Sequence, residues 1–549
     1  MDKYEKFKQE SDLIIKRVLD SDSVKKIIIA GPGTGKSFLF QEICRENIKK
    51  GKKKNLALSF INELVDDLSK DLYELAEVRT LHSFALSKMK DSKMFFDLGK
   101  VIGEDYKIIN DKDVDFNEIL SKLVNDKKLL DFYSRRRKYY DFFSPNCSIY
   151  ALVKYFEVNK DKIPSYHQVL IDEFQDFNKL EVAFIDMIAE KSPILLVGDD
   201  DQALYGSFKH ADAQEIRTRA KGGGYDLFGL PFCRRCTEVI VNSFNDVVKR
   251  AKEEGFLQDR APKDYIYFPT EQKDTVSKEN PHIVLKRSVP VKATAFHIEK
   301  QIEKIFDPQA KTPPSVLIIC SMKNQVGPLA KLLTRKGFDN IQYREKEEKD
   351  FLVEAFDLLL EDRFCNLGWR AIANCLYGRD GKTDDFNNAV KESYAKGETV
   401  KFRKLLDQGF VSYVEEVLVI LRKVRADEEI TEDESGKLYQ CLGSTPKELI
   451  IEKVKKDFND EFIPKKIYKN IPIKITTILG SKGLTYDHAF LVNFSDRYLL
   501  DKGKITDEGI FNFLVSLTRS KNRVYIYTED DKPPTFSTWI DENNIKDIT

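Results

Sequence analysis

Short apolar runs recur along the chain, and each is followed by a longer amphipathic stretch. In the first half these runs are "KKIIIA" (Lys25–Ala30), "NLALSF" (Asn55–Phe60), "HQVLI" (His167–Ile171) and "PILLVG" (Pro193–Gly198), all ending in polar loops. Apolar runs of this length, separated by helical stretches, predict buried strands of a parallel sheet covered by helices on both faces. A second set follows in "HIVLKRS", "SVLIICSM", "IKITTI", "HAFLVNF" and "RVYIYTED". The pattern predicts an α/β fold with two parallel-sheet lobes. Between the strand sets lie helical stretches with few β-rich runs, read as one helical insertion in each lobe. The expected division is a first lobe from residues 1–86 and 165–278, interrupted by an insertion at 87–164. The second lobe spans 279–350 and 467–549, interrupted by an insertion at 351–466. "DPQAKTPPS" reads as a loop before a strand.

Composition narrows this only slightly. At roughly 150 residues per domain, 549 residues predict three or four domains. A third of the residues are charged and 42% are hydrophobic, which suits a globular chain and argues against extended disorder. Lys plus Arg equals Asp plus Glu at 90 each, so any basic surface is local. The opening "MDKYEKFKQESD" has no apolar signal region, and no run reaches the ~18 apolar residues of a membrane span. Eight scattered cysteines predict a reducing, cytoplasmic setting.

The strongest chemical signal is "AGPGTGKS" (Ala30–Ser37), between the first strand and the helical "FLFQEICREN". Gly31, Gly33 and Gly35 let the backbone wind so that its N–H groups, Thr34 included, face phosphate oxygens. The following helix start adds partial positive charge. Lys36 would reach the β- and γ-phosphates, and the Ser37 hydroxyl would join a magnesium ion. ATP and Mg²⁺ are thus expected. Ala30 stands where this pattern usually has its first glycine. At the end of another strand, "VLIDEFQD" supplies Asp172, expected to hold magnesium directly or through water, and Glu173, expected to polarise the attacking water.

With "TLHSFA", "VGDDDQALYG", "GSKGLTYD" and "VSLTRSKNRVYI" following in order, the chain resembles the UvrD/Rep-like superfamily 1 DNA helicases. The resemblance implies two RecA-like lobes of the P-loop NTPase fold, with ATP between them and single-stranded DNA across their tops. It implies that Gln202 senses the γ-phosphate and that Arg519 is an arginine finger countering charge on the transferring phosphoryl group. Gln9 is the candidate adenine-reading glutamine, further upstream of the phosphate loop than is usual. In "TTILGSKGLTYD", Leu479 and Thr485 replace the family's His and its ribose-contacting Glu, while Lys482 and Gly483 remain. Gly483 is carried over to the nucleotide site and Thr477 to DNA phosphate. Phe60, Asn62 and His82 occupy DNA-contacting positions, and Tyr205 matches a base-stacking tyrosine. Phe208 arrives one residue later than the family's tryptophan and is expected to supply the second stacking surface. "RRRK" (Arg135–Lys138) and "GKKK" (Gly51–Lys54) read as solvated charge runs.

"GLPFCRRCTEVI" (Gly229–Ile240) carries two cysteines at metal-ligand spacing. No second C-x-x-C accompanies them, so neither zinc nor an iron–sulfur cluster is expected. The resemblance aligns Leu230–Ile240 with L-x-x-N-Y-R-S-T-x-x-I, which gives Arg235 the γ-phosphate-sensing role. Arg234 takes the place of a tyrosine that stacks on adenine, a contact a planar guanidinium can also make.

The expected function is an ATP-dependent DNA translocase or helicase, 3′-to-5′ by resemblance. Short helical insertions suggest a reduced motor working with a protein partner in DNA repair or antiviral defence. The chain leaves no room for a nuclease after "VYIYTED", so a nuclease would belong to that partner. The alternative is an ATP-switched DNA-binding or signalling subunit that hydrolyses ATP without processive unwinding.

Overall fold

The computed structural model describes residues 2–60, 62–89, 92–204, 213–307, 310, 312–343, 351–379, 381–443 and 467–549. The chain forms two compact units. One comprises Met1–Lys88, Ile149–Glu345 and Lys465–Thr549; the other comprises Met89–Ser148 and Lys346–Pro464.

The first unit contains two parallel sheets, the RecA-like architecture of a P-loop NTPase. One sheet has six strands: β1 (Lys25–Ala30), β2 (Asn55–Ser59), β3 (Glu77–Thr80), β4 (Gln168–Ile171), β5 (Ile194–Gly198) and β6 (Asp226–Leu230). Their order is β3-β2-β4-β5-β1-β6, parallel throughout. A short parallel pair, β7 (Phe232–Cys233) with β8 (Ile266–Tyr267), follows it. The second sheet has seven strands: β9 (Ile283–Lys286), β10 (Val316–Cys320), β11 (Ile341–Tyr343), β12 (Ile473–Thr477), β13 (Tyr486–Val492), β14 (Ser520–Tyr527) and β15 (Ile545–Asp547). Its order, β11-β12-β10-β13-β14-β9-β15, is again parallel.

The unbroken apolar runs are explained by burial on both sheet faces. On β10, Leu317 and Ile319 pack with Val239, Phe244 and Leu514 from two helices. Val316, Ile318 and Cys320 point the other way, against Ile298, Ile302 and Leu333. Side chains alternate along a strand, so only a run without polar positions satisfies both contacts.

The second unit is helical, and both inserted segments contribute to it. Its core holds Asp105 (helix Leu98–Asn110), fully buried between Arg136 (helix Lys127–Tyr140) and Arg370 (helix Asn366–Arg379). Arg136 Nη2 lies 2.6 Å and Arg370 Nη2 3.0 Å from the carboxylate, and the Tyr140 hydroxyl donates to it at 2.6 Å. This corrects the reading of "RRRK" as solvated: Arg136 in its middle is buried. The run has helical period, so one of its four members faces inward. Among the described residues no helix is long and apolar enough to cross a membrane.

Candidate nucleotide site and its link to the second sheet

In a parallel sheet every strand ends on the same edge, where ligands of α/β folds collect. The phosphate loop follows β1, Asp172 and Glu173 follow β4, Asp199–Gln202 follow β5, and Arg234 and Arg235 follow β6 and β7. The second sheet contributes from the opposite kind of end. Lys482 lies in the loop before β13, and Arg519 immediately precedes β14.

The phosphate loop is braced from behind. Thr34 Oγ1 donates to the Gly31 carbonyl at 2.9 Å, the Arg234 backbone N–H donates to the Gly33 carbonyl at 2.8 Å, and the Tyr265 hydroxyl donates to the Pro32 carbonyl at 3.0 Å. Gly33 has φ +72°, and a Cβ there would lie 2.4 Å from Cβ of Arg235. Glycine is therefore demanded twice, by the left-handed backbone and by the approach of Arg235. Gly35 precedes the helix Lys36–Lys49, with Ser37 in its first turn.

Lys36 Nζ donates to Glu173 Oε1 at 2.8 Å. Burial works against the lysine charge, but Glu173 and Asp172 outweigh it and raise the Lys36 pKa. Glu173 has φ +50°, a left-handed residue just beyond β4. That turn breaks the alternation of the strand and brings two consecutive carboxylates to one site. Burial opposes the Glu173 charge too, yet Lys36 and Lys482 hold its pKa down at about 2. Asp172 is the reverse: burial first, then the Glu173 charge, push it up to about 6. Its Oδ1 is buried with no hydrogen-bond partner among the described residues. An unfilled carboxylate oxygen suits a hard divalent cation, and the hydroxyl in the first turn after the phosphate loop offers a second oxygen ligand, so Asp172 and Ser37 fit Mg²⁺.

From Glu173 the contacts run on without a gap. Glu173 Oε2 accepts from Gln175 Nε2 at 2.6 Å, and Gln175 Oε1 accepts from the Asp199 backbone N–H at 2.9 Å. Asp199 Oδ2 accepts from Gln202 Nε2 at 2.7 Å, and Gln202 Oε1 accepts from Arg519 Nη2 at 3.0 Å. Lys482 Nζ donates to the Gln202 carbonyl and to Asp176, 2.6 Å from its nearer carboxylate oxygen. Burial pushes Asp176 up to about 7 even though the Lys482 charge opposes it. Arg519 is buried, and burial followed by the Arg235 charge brings its pKa down to about 10. Gln175 and Asp176 stand inside "DEFQD", and Lys482 inside "GSKGLTYD", but the sequence reading gave them no role. Nothing in the sequence pointed to Tyr265.

Comparison with known proteins finds likenesses to ATP-dependent DNA helicases. A family profile described as an AAA domain matches residues 15–207. "DNA helicase II" of Haemophilus influenzae is 26% identical over 40% of this chain and 38% of its own length. "ATP-dependent DNA helicase PcrA" of Staphylococcus aureus is 33% identical over 16% of this chain and 12% of its own. One component of an "ATP-dependent helicase/nuclease" of Lactobacillus helveticus is 28% identical over 30% of this chain and 13% of its own. These likenesses are to helicases of the UvrD/Rep-like kind. The matched region spans about two-fifths or less of these relatives.

The UvrD/Rep-like positions expected to meet DNA are placed less uniformly. Phe60 is buried, edge-on to Phe177 with ring centroids 5.6 Å apart. His82 is half-buried, its Nε2 3.5 Å from Glu181. Thr477 ends β12, where its hydroxyl accepts the Gly480 N–H at 3.2 Å. Asn62 opens the helix Asn62–Asp71, its side chain outside the described residues, as are Tyr205 and Phe208. Gly483 packs against Leu64, where a Cβ would come within 2.3 Å of Cδ2. Gln9 is exposed on the first helix, two residues before Ser11, and bonds Glu5.

The Arg234 guanidinium stands 4.4 Å over the Phe268 ring and donates to Ser11 Oγ at 2.6 Å. Arg235 is half-buried beside Gly33, and no hydrogen bond or ion pair to the described residues holds its guanidinium. Cys233 and Cys236 are fully buried. Burial disfavours a Cys233 thiolate, but hydrogen bonds from Cys236 and Tyr265 outweigh it and bring the pKa down to about 5. Among the described residues neither belongs to a metal-ligating cluster.

Proposed function

We propose that this chain is a DNA-stimulated ATPase that moves along single-stranded DNA, 3′-to-5′, as UvrD/Rep-like motors do. The observation that supports it best is the chain of contacts Lys36–Glu173–Gln175–Asp199–Gln202–Arg519, which joins the nucleotide site on one sheet to the other.

Entry of the ATP phosphates draws Lys36 off Glu173, which frees that carboxylate to orient and deprotonate the attacking water. Asp172 and Ser37 would hold Mg²⁺, which would supply positive charge against the phosphates. Arg235, free of hydrogen-bond and ion-pair partners among the described residues, turns onto the γ-phosphate, and Arg519 approaches with it from the second sheet. Gln202 then reports occupancy, because its amide faces Arg519 while its carbonyl holds Lys482. Each cycle closes and opens the two lobes, and alternating grip converts this into steps. Tyr205, Phe208, Asn62, His82 and Thr477 are the strand-contacting residues in this reading.

The short helical segments favour a reduced motor that depends on a partner, in DNA repair or antiviral defence. A relative named as one component of a helicase/nuclease supports the idea of a partner. The deciding assay is ATP turnover without nucleic acid, with single-stranded DNA, with single-stranded RNA and with duplex. Stimulation by single-stranded DNA is expected. No stimulation by DNA sinks the motor reading, and stimulation by RNA alone redirects it.

A further inference from the structure

Asp199, Asp200 and Asp201 are consecutive, and all three are fully buried. Three carboxylates in a dry interior carry a heavy desolvation cost unless each is paired. Three cations from elsewhere in the chain meet them. Arg217 Nε lies 2.9 Å from Asp200, and Arg260 Nε lies 2.9 Å from Asp201. Lys263 alone touches all three: its ammonium bonds Asp199, with Asp200 at 2.6 Å and Asp201 at 2.9 Å. The formal charges of the cluster cancel, and Lys263 is the only one of these cations on Asp199.

Asp199 matters because of what it accepts. An ionised carboxylate can only accept a hydrogen bond, and a guanidinium can only donate. Gln202 lies between one of each, with Nε2 on Asp199 and Oε1 on Arg519. The amide orientation is thereby forced. A protonated or displaced Asp199 would let the amide turn and present its NH₂ to Arg519, donor against donor.

We infer that Lys263 is a positioning residue: by neutralising Asp199 it fixes the Gln202 amide with its oxygen toward Arg519. The inference rests on the role proposed above for Gln202. Lys263 lies between the helix Glu238–Glu253 and β8, 61 residues beyond Gln202 and outside the motifs quoted from the sequence.

The test is DNA-stimulated ATP turnover of the full chain across four proteins: native, Lys263→Met, Gln202→Ala and the double variant. Lys263→Met is expected to lower kcat on the order of tenfold, with KM for ATP within about twofold, because the phosphate loop is untouched. In the Gln202→Ala background the same change should cost nothing further, since its route is already cut. Lys263→Arg should restore most of the kcat. Because Lys263→Met unbalances a buried cluster, Lys263→Met/Asp200→Asn restores neutrality yet leaves Asp199 without its cation. It should fold and show the same kcat defect. Losses that multiply with Gln202→Ala overturn the inference, as does failure of both Lys263→Met and Lys263→Met/Asp200→Asn to fold, which would make Lys263 purely structural. A Gln202→Ala variant with native turnover instead overturns the reading of the site itself.

Discussion

Glu173→Gln separates two jobs that one carboxylate performs. Before nucleotide binds, Glu173 holds Lys36 in a 2.8 Å ion pair whose side chains are 9% and 14% exposed. ATP must break that pair to recruit the lysine. A charge-assisted hydrogen bond of this kind is worth about 1.5–3 kcal/mol, and a neutral amide in its place keeps about half. The substitution therefore removes about 1 kcal/mol of competition, so ATP should bind roughly fivefold more tightly. Turnover should fall by about 10²–10⁴, because the amide cannot accept the proton of water. The pH behaviour follows from the depressed pKa of Glu173. Its stabilising charge is fully present above the ordinary carboxylate range and is lost only as pH falls toward about 2. The affinity gap should therefore be constant from pH 6 to pH 9. Titration with a fluorescent non-hydrolysable ATP analogue, alongside phosphate release with single-stranded DNA, measures both quantities. Equal or weaker binding by the variant would refute the competition argument even if turnover were lost.

Gly33→Ala should weaken nucleotide binding and lower the melting temperature. It combines a left-handed φ, costing about 1–2 kcal/mol, with a contact 2.4 Å from Cβ of Arg235 that no rotamer relieves; native binding in the same titration would refute this. Asp172, raised to about 6, must lose its proton to ligate a metal. The Mg²⁺ concentration needed for half-maximal turnover should rise about tenfold per pH unit below 6 and level off above it, and a flat profile from pH 5 to 8 would contradict the assignment. In the helical unit, Asp105→Asn leaves Arg136 buried without its carboxylate and Arg370 with Glu104 alone, so urea unfolding should show a loss of about 3–5 kcal/mol. Cys233→Ser with Cys236→Ser should keep ATP turnover within about twofold and release no zinc, since a zinc site needs four ligands and, among the described residues, no ligating cluster includes either cysteine.

The features carried by short, contiguous stretches were legible in the sequence. Strands buried on both faces need unbroken apolar runs, and a phosphate loop needs its glycines and lysine side by side. What the sequence concealed depends on distant segments or on one backbone angle. Asp172 and Glu173 share a site because Glu173 adopts φ +50°, which no neighbouring residue type announces. Lys263 and Arg260 meet the aspartates after β5 through tertiary folding alone. "RRRK" reads as a charged surface, yet Arg136 is buried because its partner Asp105 lies 31 residues earlier on another helix. Phe60 sits where the family meets DNA, but its ring packs on Phe177. The two inserted segments form one unit, which a pattern read along the chain does not reveal.

The central claim is that ATP turnover drives the chain along a single strand in one direction. Displacement of streptavidin from biotin at either end of a single-stranded DNA tests this most directly. The account predicts ATP-dependent displacement from the 5′ end, little from the 3′ end, and none with Lys36→Ala. DNA-stimulated ATP turnover without displacement from either end would contradict it and leave an ATP-switched DNA-binding protein in its place.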